Sequence, residues 1–265
     1  MQKKFDYKGS DVYYNIAGNG TPVMLLHGFA EDSDVWRYQI AFLQQHCLLI
    51  VPDLPGSGKS AYAPALQSIA DFADCLLALL QEERIEKCIM LGHSMGGYIT
   101  LAFAEKYVEY LSGFGFINST AFADSDEKKQ NRLKGIRVIE EYGGYAFIKN
   151  TTPNLFSVVY KQLFADNITA LIEKGANFKK EALQQYYYAM MERPDRSGVL
   201  QHSRLPVLFV AGEEDVAAPL NDVLKQVHLP ETSYIHILQN TGHMGMWEAT
   251  EAVNTYVLQF IEGIE

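Results

Sequence analysis

One serine in this sequence has neighbours suited to nucleophilic chemistry. It lies in the stretch LGHSMGGY, where Gly92-His93-Ser94-Met95-Gly96 fits the pattern G-x-S-x-G. An apolar run, KCIML, leads into the pattern, and an amphipathic run, YITLAFAEKY, follows it. A serine on such a sharp strand-to-helix turn needs small residues two positions away on each side, and Gly92 and Gly96 supply them. We therefore predict a nucleophilic Ser94 beside a helix N-terminus, rather than a plain tight turn.

A nucleophilic serine needs a base, and histidine most often takes this role. Among the seven histidines, His243 lies in NTGHMGMWE, between the last predicted strand and the last predicted helix. A loop at that place brings an imidazole over the carboxyl edge of a sheet. His202, His228 and His236 lack this placement, and His93 is expected to pack inside the turn. His243 is therefore the predicted base.

The imidazole in turn needs a carboxylate that orients it and stabilises its cation. Asp215 lies in VAGEEDVAAP, three residues after a glycine at a predicted strand end. Glu213 and Glu214 are rivals, but the turn after the glycine is expected to aim Asp215 inward. The resulting chain order of Ser94, Asp215 and His243 is the order expected with a G-x-S-x-G turn.

Acyl transfer also needs two donors for the negative oxygen that forms when a carbonyl is attacked. The backbone N–H of Met95, directly after the serine, is one expected donor. The stretch LLHGFAEDSDVW contains another predicted strand end, at His27-Gly28. Gly28 lets the chain turn closely past the serine, and the N–H of Phe29 is the second expected donor. The predicted supporting residues are His27, Gly28, Gly92 and Gly96.

The elements that must position these residues alternate between short apolar runs and amphipathic segments, which is typical of βαβ units in a doubly wound α/β fold. Continuous apolar runs such as VMLLH and LLIV indicate strands buried on both faces, as in a parallel sheet. The predicted strands cover residues 12–16, 23–27, 48–52, 87–92, 113–118, 205–212 and 232–238. The predicted helices cover residues 35–45, 69–83, 95–107, 219–228 and 246–262.

The pattern changes between residues 121 and 203, where no convincing strand occurs. We predict that this cap segment (residues 121–203) is a lid of about four helices, inserted into a core made of residues 1–120 and 204–265. Its aromatic and apolar residues are expected to line a pocket for a small or medium acyl group, or simply to pack the helices together. Arg193 and Arg196 are expected to tie the cap segment to the core, with carboxylate binding as the alternative.

The composition argues against several classes of function. The 265 residues carry a net charge of −10, and nucleic acid selects basic surfaces instead. No run approaches the roughly 18 apolar residues of a membrane span, and no apolar run follows the N-terminal lysines as a signal peptide requires. The three cysteines lack CxxC spacing and lie in apolar contexts, so reduced, buried thiols in a cytoplasmic protein are expected. Oligomeric state has no signature in the sequence.

The stretch DLPGSGKS at residues 53–60 looks at first like a phosphate-binding loop. A Walker loop needs G-x-x-x-x-G-K-[ST], but Asp53 stands where the first glycine is required, and its charge would repel phosphate. A helix should also begin at the lysine, whereas SAYAPALQ follows. We predict instead a tight turn near the site, in which Asp53 and Ser60 bond backbone groups.

With these motifs, the chain resembles the α/β-hydrolase superfamily from residue 12 to residue 260. The turn that begins at Asp53 resembles the D-x-x-G-x-G-x-S turn of that family, with Ser57 where a histidine often stands. The resemblance implies an α/β-hydrolase fold with a mostly parallel eight-stranded sheet, helices on both faces, a cap between strands six and seven, and neither cofactor nor metal. The matching stretches are HGF (27–29), DLPGSGKS (53–60), GHSMGG (92–97), GEED (212–215) and GH (242–243).

The predicted function is that of a serine hydrolase, which cleaves a small or medium carboxylic ester or related acyl bond through an acyl-enzyme. The expected partner is a small-molecule acyl substrate. Small carboxylesterases, enol-lactonases and a menaquinone-pathway lyase resemble the overall pattern, whereas dehalogenases and epoxide hydrolases use an aspartate at the position of Ser94. Alternatives that stay open are a small-molecule receptor with slow turnover, a non-hydrolytic lyase, a C–C hydrolase and a cofactor-free haloperoxidase with the same three residues.

Overall fold

The structure is a computed structural model that describes residues 1–264 and contains one eight-stranded sheet. The strands are β1 (Gln2–Tyr7), β2 (Ser10–Ala17), β3 (Pro22–Leu26), β4 (Leu48–Pro52), β5 (Cys88–His93), β6 (Leu111–Ile117), β7 (Val207–Gly212) and β8 (Ser233–Leu238). Their order across the sheet is β1-β2-β4-β3-β5-β6-β7-β8. β2 is antiparallel to β1 and β4, and the other neighbouring pairs are parallel. The predicted, mostly parallel sheet is confirmed.

Helices cover both faces of this sheet. In chain order they are α1 (Arg37–Leu43), α2 (Ile69–Glu82), α3 (Met95–Lys106), α4 (Asp126–Tyr142), α5 (Gly144–Thr151), α6 (Val158–Leu163), α7 (Ala165–Lys174), α8 (Lys180–Met191), α9 (Ser197–Gln201), α10 (Leu220–Leu224), α11 (Gly245–Glu248) and α12 (Thr250–Glu262). Within residues 1–264, no helix is long and apolar enough to cross a membrane.

The central strands divide their side chains between two apolar layers. Met24 and Leu26 of β3 pack in the layer that contains α2 and α3, whereas Val23 and Leu25 pack in the layer that contains α1 and α12. Side chains alternate between the two faces of a strand, so a continuous apolar run such as VMLLH supplies both layers at once. The three cysteines, Cys47, Cys75 and Cys88, are buried thiols, as expected.

The strand order places β3 directly beside β5, although β4 lies between them in sequence. Leu26 of β3 pairs with Gly92 of β5, so the loops that follow these two strands leave the sheet side by side. Open α/β sheets bind ligands at the carboxyl edge where the strand order reverses. The fold therefore brings the predicted oxyanion loop and the predicted nucleophile turn to the same edge.

The cap segment lies between β6 and β7 and contains six α-helices, α4 to α9, and no strand. The expectation of about four helices was too low because some boundaries lack a helix breaker. α6 ends and α7 begins around Phe164, whose φ of −130° and ψ of 39° are not helical. A division of the chain into core and cap at residues 121 and 203 stays a prediction.

Three other elements differ from the sequence predictions. β1 was missed because QKKFDY begins with three polar residues on an edge strand and lacks a continuous apolar run. The helix predicted over residues 219–228 spans only Leu220–Leu224. The helix predicted over residues 246–262 is divided into α11 and α12 at Ala249, whose φ of −131° and ψ of 48° interrupt the helix.

Candidate active site

Ser94 occupies a strained turn between β5 and α3. Its φ of 50° and ψ of −115° lie where residues other than glycine are rarely found. A Cβ on Gly92 would overlap the backbone of Gly96, and a Cβ on Gly96 would lie 2.5 Å from the carbonyl oxygen of Leu26. The two glycines thus let α3 begin directly against the strands, which is the reason for the G-x-S-x-G spacing. Ser94 stands where the N-terminus of α3 meets the carboxyl edge of the sheet.

His243 and Asp215 come into contact from two loops at this edge. Nδ1 of His243 lies 3.0 Å from Oδ1 and 2.8 Å from Oδ2 of Asp215. Oδ1 also accepts the backbone N–H groups of Ala217 and Ala218, each at 2.8 Å. Oδ2 accepts a hydrogen bond from Nδ2 of Asn118 at 3.0 Å. Asp215 is therefore a buried carboxylate whose two oxygens are both hydrogen-bonded.

The surroundings keep Asp215 ionised and direct one proton of His243 toward it. Burial raises the pKa of Asp215, but the charge and hydrogen bond of His243 and the other donors lower it more, so the pKa lies below its usual value. Burial lowers the pKa of His243, but the Asp215 carboxylate outweighs burial and holds that pKa above its usual value. When Nδ1–H donates to the carboxylate, the lone pair is left on Nε2, which is the tautomer that a general base needs.

The rings of His93 and His243 connect the turn at residues 92–96, called the serine turn below, to residues 240–244, which contain the predicted base and are called the base loop. Their centroids are 4.8 Å apart, and Nε2 of His93 lies 2.9 Å from the carbonyl oxygen of His243. Within residues 1–264, the ring of His243 makes hydrogen bonds to Asp215 and none to the Ser94 hydroxyl. Catalytic hydrogen bonds of this type are often long before substrate binds. The role of His243 as the base of Ser94 stays a prediction.

The loop after β3 passes Ser94 at van der Waals distance, since a Cβ on Gly28 would lie 3.0 Å from Cβ of Ser94. Nε2 of His27 accepts the N–H of Leu54 at 2.9 Å, which leaves Nδ1–H to donate to the carbonyl of Gly28 at 2.9 Å. That carbonyl belongs to the peptide between Gly28 and Phe29, and the N–H of a trans peptide points to the opposite side. His27 therefore fixes the orientation of the Phe29 N–H.

Two backbone amides beside the serine turn have no acceptor. Within residues 1–264, the N–H groups of Phe29 and Met95 donate to no other group. Met95 is the first residue of α3, so its N–H has no partner inside the helix. Both amides are thus free to donate to a negatively charged oxygen.

The turn from Asp53 to Ser60 is a backbone scaffold, as its sequence predicted. Oδ1 and Oδ2 of Asp53 accept the N–H groups of Ser33 and Lys59, each at 2.9 Å. The Ser60 hydroxyl donates to the carbonyl of Asp53 at 2.6 Å and accepts the N–H of Tyr13 at 2.8 Å. Leu54, inside this turn, supplies the N–H that fixes the tautomer of His27.

Glu248, which the sequence analysis missed, holds the base loop. Its Oε1 accepts the N–H groups of the residues on both sides of His243, namely Gly242 at 3.0 Å and Met244 at 3.2 Å. Its Oε2 accepts the N–H of Ser157 in the cap segment at 2.8 Å. The pattern GHMGMWE contains this glutamate, but nothing in its spacing marks it as a partner of three backbone amides.

Asn118 was also missed, although it directly follows β6. It has a φ of 53°, and Nδ2 donates to Asp215 and to the carbonyl of Gly242, each at 3.0 Å. Asn118 thus connects the carboxylate to the base loop. A polar residue at the carboxyl end of a buried strand was the available signal, since such ends meet at one edge of a parallel sheet.

The rival carboxylates lie away from the imidazole. Glu213 is exposed, and Oε2 of Glu214 accepts the N–H of Val158 at the start of α6, at 3.3 Å. In the described part of the chain, no group of three or more histidine, cysteine, aspartate or glutamate side chains is arranged to hold a metal ion.

Arg193 and Arg196 join the cap segment to α3. The Arg193 guanidinium lies 3.7 Å from the ring centroid of Tyr98 and donates to Asp124 at 2.8 Å. Arg196 donates to Glu105 at 2.8 Å. The expectation that these arginines tie the cap segment to the core agrees with these contacts.

An apolar cleft of about 30 Å³ lies between the loop after β3 and the cap segment. The ring of Phe29, which adjoins it, stacks on Tyr187 with centroids 4.3 Å apart. Neither this cleft nor a larger polar cavity of about 650 Å³, lined in part by Asp32, Asp53 and Lys174, includes Ser94 or His243 in its lining. The cleft is lined by Phe29, Ala30, Glu31, Ile148, Thr151, Thr152, Leu155 and Leu171.

Comparison with known proteins gives a consistent family. The dihydrolipoyllysine-residue acetyltransferase component of the acetoin cleaving system of Pseudomonas putida is 30% identical over 94% of this chain, which spans 66% of that protein. A 2-hydroxy-6-oxononadienedioate/2-hydroxy-6-oxononatrienedioate hydrolase of Paraburkholderia phymatum is 27% identical over 94% of this chain and 90% of its own length. The structure of a thermophilic esterase from Thermogutta terrifontis has a TM-score of 0.93 at 26% identity, covering 100% of this chain and 99% of that one. The sequence profile of the alpha/beta hydrolase fold matches residues 21–250, and the chain therefore belongs to the α/β-hydrolase family.

Proposed function

We propose that this chain is a serine hydrolase that cleaves a small or medium carboxylic ester, or a related acyl bond, through an acyl-enzyme on Ser94. One observation carries the proposal: an imidazole bonded through Nδ1 to a buried carboxylate, His243 to Asp215 at 2.8 Å, lies at the same sheet edge as a strained serine turn. The 26% identity to an esterase over the whole chain supports an ester as the substrate class.

In the first half of the proposed reaction, Oγ of Ser94 attacks the carbonyl carbon while Nε2 of His243 takes the hydroxyl proton. The negative oxygen of the tetrahedral intermediate accepts hydrogen bonds from the N–H groups of Phe29 and Met95. The imidazolium, stabilised by Asp215, then protonates the leaving alcohol oxygen as the C–O bond breaks. The acyl group is left as an ester of Ser94.

In the second half, a water molecule takes the place of the alcohol. His243 removes a proton from this water, and the resulting hydroxide attacks the acyl carbon. The same two backbone amides hold the second tetrahedral intermediate. As the C–O bond to Ser94 breaks, His243 returns its proton to the serine oxygen, and the carboxylic acid leaves.

We place one small apolar end of the substrate in the cleft beside Phe29. The cleft volume is only about 30 Å³, so we expect it to accept a short group only. The cap segment supplies most of the cleft lining and acts, in this proposal, as the lid that selects the substrate.

The proposal is tested with p-nitrophenyl acetate and butyrate, comparing the protein with its Ser94→Ala and Ser68→Ala variants. Ser68 caps α2 away from the site, where its side chain accepts the N–H of Asp71, so Ser68→Ala controls for the loss of a serine hydroxyl. Multiple turnover that is abolished in Ser94→Ala and kept in Ser68→Ala is expected, together with covalent labelling of Ser94 by a fluorophosphonate. Turnover unchanged in Ser94→Ala refutes the proposal, and a single-turnover burst favours a receptor.

A further inference from the structure

Glu31 and His93 form a buried pair that has no chemical role in the proposed reaction. Their side chains are 5% and 0% exposed, and Nδ1 of His93 lies 3.0 Å from Oε2 of Glu31. The same Oε2 accepts the N–H of Gly28 at 2.6 Å. On the other side of the ring, Nε2 of His93 lies 2.9 Å from the carbonyl oxygen of His243. The pair thus contacts the oxyanion loop, the serine turn and the base loop together.

The hydrogen-bond partners restrict where the protons of this pair lie. A carbonyl oxygen only accepts, so Nε2 of His93 must carry a proton. Oε2 of Glu31 already accepts the N–H of Gly28, and a second donor, Nδ1–H of His93, completes its contacts. The remaining proton lies between Nδ1 of His93 and Oε2 of Glu31, and the N–H of Gly28, which also points at Oε2, favours the charged pair with His93 as the imidazolium and Glu31 as the carboxylate. Burial raises the pKa of Glu31, but the charge and hydrogen bond of His93 and the N–H of Gly28 together lower it further, in agreement with an ion pair.

The backbone from Gly28 to Glu31 is shaped for the contact between the Glu31 carboxylate and the Gly28 N–H. Ala30 has a φ of 57°, in the left-handed region that residues other than glycine enter at a cost in free energy. The turn at Ala30 sends the chain back, so that the Glu31 carboxylate reaches the N–H of Gly28. His27 holds the carbonyl of Gly28 from the other direction, at 2.9 Å. Both peptide groups that flank the α-carbon of Gly28 are therefore held by side chains.

We propose that the Glu31–His93 ion pair is a positioning device, which sets the Phe29 amide and the His243 loop in their places around Ser94. The proposal rests on the proposed serine hydrolase reaction. Stability alone is a weak reason for such a pair, because burying two charges costs about as much free energy as their attraction returns. Neither residue touches the reacting atoms in the proposed mechanism, so the pair acts through the groups that it holds.

The variant Glu31→Gln removes the charge of the side chain and keeps its size. A neutral His93 has one N–H, which serves either the side chain at position 31 or the carbonyl of His243. If the glutamine instead turns its NH2 toward His93, that NH2 faces the N–H of Gly28. Glutamine at this position therefore loses at least one of the three hydrogen bonds while it keeps the size of the side chain. Glu83→Gln is the matched control, since Glu83 accepts hydrogen bonds from Lys3 and Tyr14 outside the site.

The expected result is a kcat in Glu31→Gln that is lower by about 10-fold to 100-fold, somewhat less than the loss from deleting an oxyanion donor. KM is expected to stay within about threefold, because the oxyanion contacts act in the transition state. Phenylboronic acid, which mimics the tetrahedral state, is expected to bind more weakly in the same proportion as kcat/KM. Glu83→Gln is expected to retain the kcat of the unmodified protein.

Imidazole ¹⁵N spectra and the Phe29 amide signal are recorded on the same samples, so that the pair is tested independently of turnover. Both ring nitrogens of His93 are expected to be protonated in the unmodified protein and only one in Glu31→Gln, with a displaced Phe29 signal. A neutral His93 in the unmodified protein overturns the proposal, as does an unchanged kcat in Glu31→Gln. Turnover that survives Ser94→Ala instead refutes the hydrolase reaction, and the spectra then decide whether the pair still positions the Phe29 amide.

Discussion

Replacing Asp215 by asparagine tests the proposed acid and base in one substitution of nearly equal size. Oδ1 of Asp215 accepts the N–H groups of Ala217 and Ala218 at 2.8 Å. An NH2 group at that place would face two donors, so the amide oxygen of the asparagine must take it. The asparagine NH2 then takes the place of Oδ2, which at 2.8 Å is the nearer of the two oxygens to Nδ1 of His243. The amide oxygen, at 3.0 Å from Nδ1, already accepts two N–H groups.

An NH2 group donates, so it requires Nδ1 of His243 to accept and moves the ring proton to Nε2. An imidazole with its proton on Nε2 cannot take a proton from Ser94. We expect kcat to fall about 10⁴-fold, as for the same tautomer change in a Ser-His-Asp triad, which corresponds to about 5 kcal/mol in the activation free energy. KM is expected to change little, because the substrate does not contact Asp215 in the proposed mechanism.

The protein is expected to stay folded in this variant, because Asn118 can adapt. Its Oδ1 is buried and has no hydrogen-bond partner within the described residues, so rotation of the amide offers that oxygen to the new NH2 group. The rotation places the same oxygen near the carbonyl of Gly242, so a modest loss of stability is expected.

Turnover of p-nitrophenyl acetate and the midpoint of thermal unfolding are measured on the same preparations of the unmodified protein and Asp215→Asn. A folded variant that keeps more than about a tenth of the original kcat would refute the tautomer reasoning, and with it the assignment of Asp215. A variant that is inactive because it is unfolded is recognised from the melting curve. In that case kcat of both proteins is measured again at a lower temperature at which the melting curve shows Asp215→Asn to be folded.

Three other predictions concern the base, the serine turn and the cleft. The value of kcat/KM is expected to rise with pH to a plateau as His243 loses its proton. The midpoint is expected above the ordinary histidine pKa of about 6.5, because Asp215 raises the pKa of His243. A midpoint at or below the ordinary value contradicts this prediction. Gly92→Ala is expected to lower the free energy of unfolding by about 3 kcal/mol in chemical denaturation. Gly198→Ala is the control and should not lower it, because a Cβ there meets no atom within 4 Å. Equal stabilities of the two variants would rule out crowding between position 92 and the Gly96 backbone. Leu171→Ala is expected to widen the cleft and to raise kcat/KM for p-nitrophenyl hexanoate relative to the acetate, so an unchanged ratio places the substrate elsewhere.

The fold was predictable where one local pattern determines one element. β3, β5 and β7 are buried on both faces, and their continuous apolar runs predicted them within two residues. β1 and the subdivision of the cap segment were not predictable in the same way. An edge strand that begins with three polar residues resembles a polar loop, and helix boundaries such as Phe164 depend on packing rather than on a glycine or proline.

The same division holds at the candidate site. Ser94, Gly92 and Gly96 belong to one short stretch, where backbone crowding alone requires small residues, and the sequence therefore predicted the strained turn; the role of Ser94 stays a prediction. Asn118 and Glu31 act through partners that the fold brings near from distant positions, since Asn118 donates to a residue 97 positions later and Glu31 bonds to one 62 positions later. A single sequence contains no local signature for such contacts, because each residue alone is an ordinary polar residue near a strand end.

The cap segment as well as the core holds the loop that carries His243. The carbonyl of Leu155 accepts the N–H of His243 at 2.7 Å, and Glu248 connects the flanking amides of that loop to Ser157. Leu155 therefore lines the cleft and also contacts the proposed base. A substitution there displaces His243 as well as the cleft lining, so a lower kcat in such a variant is not by itself a sign of substrate contact. Only an effect that depends on the length of the acyl group, as tested at Leu171, distinguishes selection of the substrate from placement of the base.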